Sequence, residues 1–327
     1  MTDNFSKGYT LQVKGAMVLL ILSHHIYQNL CLDFGPWINY IFRSFGYLAV
    51  AVFFFISGYG ITCSMRNGGG YFESFPRNRV LSTYLLYVVL VGLYFFATGI
   101  FWNRFEWSLL PSSFLVGKTI VGAGWFIQNI IIFYITWWFS YKYFCKHSLL
   151  AVFLIISMYN IACIAFDMST HWRYASNYAF VCGVLYGEKR PFFDTFISAR
   201  GYNKIAILSL LLFSLIYVTL FYTNRSFIAV FSLKTVMTIV LPAMIVIVSF
   251  LYKVAYTDNA ILKHLGKYSL EIYVLQGIVY MLLRNNFWTT PDFLYVILAI
   301  PGILFLSYVV HPLFMYIQGS VRNTPKR

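Results

Sequence analysis

Lys14 and His25 stand eleven positions apart in an otherwise apolar stretch. At 100° and 1.5 Å per residue, eleven steps make three turns plus about 20°, so the two side chains share one helical face roughly 16 Å apart. Ionisable groups at membrane depth are expensive, so a helix facing only lipid would not carry this pair; the stripe is expected to line a polar interior. An imidazole can take up and return a proton near neutrality, which makes His25 a candidate general base or nucleophile. The plain alternative is an imidazole that bridges helices through hydrogen bonds. His24 points elsewhere and reads as structural, and His311, just before Pro312, reads as the partner of a kink.

A second cluster is Ser74-Phe75-Pro76-Arg77-Asn78-Arg79. With Pro76 at a first helical position, free backbone N–H groups and the positive dipole end coincide with two guanidinium groups, a combination suited to phosphate. Anchoring beside anionic lipid heads is the alternative. Glu271 follows Lys267 by four residues, and an i,i+4 ion pair accounts for it more readily than chemistry does. Ser57 and Gly58, within Phe53–Gly60, and Trp125 before Phe126 fit close helix packing and an interfacial belt by default. The five cysteines are widely spaced without a CxxC pair, so neither a disulfide framework nor a metal site is expected. Walker A, GxSxG, HExxH and dinucleotide-glycine patterns are missing, and His24-His25 fails the HHxxxD pattern because residue 28 is Gln.

The elements that must hold these residues follow from composition. Of 327 residues 60% are apolar and only 10% charged, against about 25% in ordinary soluble domains. Most soluble readings are ruled out, and a disordered chain is excluded. Apolar runs of about 20 residues mark spanning helices, and ten are expected, near 10–30, 45–64, 80–101, 125–141, 149–166, 175–187, 205–222, 228–251, 268–284 and 293–317. The sixth is short for a full span. With that alternation only Arg43, Arg104, Lys118, Arg173, Arg225, Lys234 and Arg284 fall on one side, leaving 17 of the 24 Lys and Arg on the other. The bias puts both termini in the cytoplasm and assigns the net charge of +14 to membrane loops rather than nucleic acid. No cleavage site follows the first stretch, which is expected to be retained. The expectation is an all-α polytopic membrane protein, one domain over 1–327.

Taken in order along the chain, these residues resemble acyltransferase family three, the integral membrane O-acyltransferases that acylate bacterial surface polysaccharides. The matching points are Lys14-Gly15 with His25, the FF-x-ISG-like run Phe53–Gly60, Arg77-Asn78-Arg79, Trp125-Phe126, and Leu265-Gly266-Lys267-Tyr268-Ser269 leading to Ile272-Tyr273. The resemblance implies a cytoplasmic acyl-CoA co-substrate, usually acetyl-CoA, a carbohydrate hydroxyl acceptor outside, and no bound cofactor. It implies that His25 is the essential histidine, Lys14 the upstream basic residue and Arg77 and Arg79 the pair linked to the donor. Two departures stand out: Lys14 replaces the commoner Arg and cannot fork around a phosphate, and Gln276 stands where many members carry a second histidine. The pantetheine arm is expected to thread past Ser57 and Gly58, with Trp125, Glu271 and Gln276 lining the site. A transporter or flippase for a glycan or lipid precursor would also explain ten helices with buried polar residues, but not the ordered motifs.

Overall fold

A computed structural model describes residues 6–30, 33–166, 172–198 and 258–323. All named elements among them are helical: α1 Lys7–Leu30, α2 Pro36–Arg66, α3 Tyr71–Trp102, α4 Gly124–Tyr143, α5 Ser148–Ala165, α6 Tyr178–Glu188, α7 Arg190–Ser198, α8 Ala260–Lys267, α9 Ser269–Leu283 and α10 Asp292–Asn323. Eight of the ten expected spans are present as helices, and those at 205–222 and 228–251 lie outside the described residues. Among the described residues four helices are long and apolar enough to cross a membrane: Phe45–Arg66, Tyr71–Trp102, Cys145–Ala165 and Asp292–Val321; Ser269–Leu283 is apolar but shorter. The weak sixth span is α6, only 11 residues long, with a single turn at Trp172–Ala175 before it. Ser176 and Asn177 break the helix. Ser176 donates to the Tyr47 carbonyl at 3.2 Å, and Asn177 donates to Asn160 at 2.8 Å, so buried side chains tie the interruption to α2 and α5.

The chain divides into two compact units, one of Met1–Met17, Tyr47–Gly69 and Ser140–Gly266, the other of Val18–Gly46, Gly70–Phe139 and Lys267–Arg327. In the first, α1 crosses α8 at reciprocal glycines. A Cβ on Gly15 would lie 2.1 Å from the Leu262 carbonyl oxygen, and one on Gly266 would lie 1.8 Å from that of Leu11. Buried Gln12 accepts from the Asn259 N–H at 3.0 Å, just before α8 begins. The same device joins α2 to α6, where Gly58 meets the Phe180 carbonyl and Gly183 that of Phe55. Small residues thus serve here as the contact surface between helices.

In the second unit α9 packs along α10, and both lie against α3. The Tyr94 hydroxyl donates to the Val274 carbonyl at 2.7 Å, tying α3 to α9. Between α1 and α2, Asp33 accepts from the Asn39 amide at 2.6 Å and from the Gly35 N–H at 2.9 Å. Those bonds, the Asn39 one foremost, hold its carboxyl below the ordinary aspartate range. Gly68, Gly69 and Gly70 have φ of 76°, 73° and 70°, a left-handed run that only glycine adopts freely, and they turn the chain from α2 into α3.

Candidate active site

α1 runs unbroken from Lys7 to Leu30, so one helix carries both Lys14 and His25. Both are half-buried. Gln28, one turn on, hydrogen-bonds the His25 ring, and the Asn29 side chain donates to the His25 carbonyl at 2.8 Å. His24 sits edge-on to His25 with ring centroids 5.0 Å apart but has a different job. It is 6% exposed, its Nδ1–H donates to the Phe42 carbonyl at 2.8 Å, and its ring covers Gly46, where a Cβ would come within 2.8 Å. That is a bridge from α1 to α2.

Arg77 and Arg79 are placed differently from the sequence expectation. The helix begins at Tyr71, not Pro76, and residues Pro76–Leu81 form a π-helical segment inside it. Proline has no N–H and its ring crowds the carbonyl four residues back, and widening the turn accommodates it. The Ser82 N–H accordingly reaches the Arg77 carbonyl, five residues back, while its hydroxyl donates to that of Asn78 at 2.7 Å. The free helix terminus expected at Pro76, beside the two guanidinium groups, is therefore absent. Aromatic packing fixes the segment: Phe75, fully buried, lies 4.7 Å from Trp137 and 5.6 Å from Tyr134, and Phe72 stacks on Trp138. α10 packs along the same segment.

One further expectation is corrected. Glu271 does not pair with Lys267. It accepts from His311 Nδ1–H of α10 at 2.6 Å, and the Lys267 ammonium lies over the Tyr268 ring instead. The carboxylate is buried, and a second helix supplies its partner, which also gives His311 a role beyond a kink. Gly58 meets the Phe180 carbonyl of α6 on the side a Cβ would take, and Ser57 beside it is half-buried. Gln276 is buried and committed within α9, donating to the Tyr273 carbonyl at 2.9 Å and accepting from the Tyr280 hydroxyl at 3.3 Å. Trp125 opens α4, and Phe126 meets Tyr273 at 4.9 Å, so the Trp-Phe and Ile-Tyr motifs touch.

One unit thus carries His25, Arg77, Arg79, Trp125, Glu271 and Gln276, and the other Lys14, Ser57 and Gly58. Sequence reasoning missed Arg173, 1% exposed and bonded to the Tyr159 hydroxyl, and Gln128, which joins the Tyr87 hydroxyl to the Leu115 carbonyl. Arg173 had entered only as a topology charge; an arginine between tryptophan and tyrosine in a short span was the available signal. A family model described as an acyltransferase domain matches residues 12–312. No curated protein and no solved structure matches the chain in the corresponding searches.

Proposed function

The chain belongs to acyltransferase family 3, and from that premise we propose that it moves an acyl group, acetyl first among them, from cytoplasmic acetyl-CoA to a hydroxyl of an extracytoplasmic or lipid-linked polysaccharide. In this reading it is a multi-pass enzyme of the bacterial inner membrane with ten spans and cytoplasmic termini. The observation that carries the reading is the family match together with Lys14 and His25 on one continuous helix inside the matched region. A cation toward one end and an imidazole farther along suit a donor phosphate that enters from inside and an acceptor that enters from outside. Arg77 and Arg79 add charge for the CoA phosphates.

Two routes for the acyl group fit His25. As general base it takes the acceptor's hydroxyl proton while the oxygen attacks the thioester carbonyl; the C–S bond breaks, and the proton passes to the CoA thiolate. As nucleophile its ring nitrogen takes the acyl group first, releasing CoA thiol, and the hydroxyl then displaces it. Either route needs water kept from the thioester. Family membership favours transfer over the flippase reading, which predicts glycan movement without acetyl-CoA consumption.

The test is His25→Ala, expressed to the normal level, with ester-linked acetate on the surface polysaccharide measured by mass spectrometry. The expected result is loss of that acetate. Normal acetylation would remove the assignment.

A further inference from the structure

Within the first unit the ends of α2, α4 and α6 are tied together. The Tyr141 hydroxyl, near the end of α4, donates to the Glu188 carboxylate at the end of α6. Arg66, the last residue of α2, donates through Nη1 to the Gly187 and Glu188 carbonyls at 3.1 and 2.7 Å. The level of these ties is the edge of an apolar layer, because the span Phe45–Arg66 ends there and the span Cys145–Ala165 begins there.

The surface at that edge is cationic. Lys142, Lys146 and Lys189 are exposed, while the carboxylates beside them are engaged, Glu188 by Tyr141 and Asp194 by Arg190 at 3.3 Å and by the Tyr186 hydroxyl at 2.9 Å. Aromatic rings stand among the lysines. Tyr143 is 59% exposed with the Lys142 ammonium over its ring, Phe144 is 45% exposed, and Phe192 on α7 is 67% exposed. α7 is fixed in place, since Phe193 stacks on Tyr186 at 4.9 Å and Asp194 holds the hydroxyl of the same tyrosine.

Exposed rings interleaved with lysines mark a surface that something apolar and negatively charged covers. A soluble phosphate compound would answer the charge and leave the rings in water. An anionic phospholipid answers both, with its headgroup against the ammonium groups and its upper acyl chain against the rings. We infer that the α4–α5 turn and α7 form a binding surface for anionic phospholipid, with Lys146 and Lys189 meeting the headgroup phosphate and Phe192 the acyl chain.

The experiment offers the full chain, purified in neutral detergent, phosphatidylglycerol and phosphatidylcholine of one chain length, and reads the retained lipid by native mass spectrometry. Wild type should retain phosphatidylglycerol in preference. Lys146→Gln with Lys189→Gln should weaken the apparent affinity for the first phosphatidylglycerol about 25-fold, or about five-fold for each charge removed, and leave phosphatidylcholine within about two-fold. Lys146→Arg with Lys189→Arg keeps the charge and should keep the preference. Phe192→Ser should weaken both lipids alike. Lys118→Gln, beyond the other end of α4, should change nothing; a loss there equal to that of the glutamine pair would show only general cationic attraction and overturn the site. Equal retention of the two lipids by wild type, or wild-type retention by the glutamine pair or by Phe192→Ser, would overturn it as well. Release of phosphatidylglycerol by equimolar CoA would assign the lysines to a soluble phosphate and overturn the lipid.

Discussion

Replacing Gly266 with alanine drives a methyl group into the backbone of α1. Its Cβ would lie 1.8 Å from the Leu11 carbonyl oxygen and 2.6 Å from the carbonyl carbon, whereas ordinary contact begins at 3.4 Å. The crossing must therefore open by about 1.6 Å, and the obstacle is backbone, which no rotamer change can relieve. Overpacking typically costs 1–3 kcal/mol, and this case belongs at or above about 3 kcal/mol. At about 2 °C per kcal/mol for a chain of this size, the melting temperature should fall by about 6 °C or more. The assay is helical circular dichroism against temperature at one scan rate in detergent. Gly60→Ala is the control, since no atom lies within 4 Å of its added Cβ, and alanine there should leave stability equal or raise it by up to about 1 kcal/mol. Lys14 lies between Leu11 and the facing Gly15, so Gly266→Ala should also raise the KM for acetyl-CoA. Melting of Gly266→Ala within about 2 °C of wild type would refute the close crossing.

Glu271→Ala and His311→Ala should each lower the melting temperature, and the double variant should lose less than the sum of the two, because each deletion strands the same buried pair. Lys267→Ala, read by the same melts, should shift it by no more than about 1 °C; a loss matching that of Glu271→Ala would restore the i,i+4 pairing. Pro76→Ala should fold at least as stably as wild type, because it restores an N–H and removes a ring clash. It should nevertheless weaken acetyl-CoA binding in equilibrium dialysis, since a relaxed turn re-aims Arg77 and Arg79. Unchanged affinity would separate the π segment from donor binding.

Much of the helical layout was legible because long apolar runs and the Lys14–His25 spacing are local signals. What escaped was non-local. The partner of Glu271 is His311, 40 positions away, and an i,i+4 rule sees only Lys267. Pro76 was read as a helix start because proline favours that place, yet Gly68–Gly70 had already turned the chain and α3 was under way. The close approach of Gly58 to α6 is equally non-local, because the Phe180 carbonyl it meets lies 122 positions away. Arg284 was counted as one charge among seven, and nothing in its neighbours announced that it would lie over the ring of Tyr295, eleven residues later.

The brevity of α6 bears on bilayer thickness. Eleven residues rise about 16 Å, roughly half of a hydrocarbon layer of about 30 Å. Full-length helices such as α3 answer a thicker or thinner layer by tilting. α6 has no such freedom, because Gly183 clamps it to α2 and Asn177 ties its leading turn to α5. In lipids of unusual chain length the strain should therefore concentrate around Ser176 and Asn177, where the helix is already interrupted.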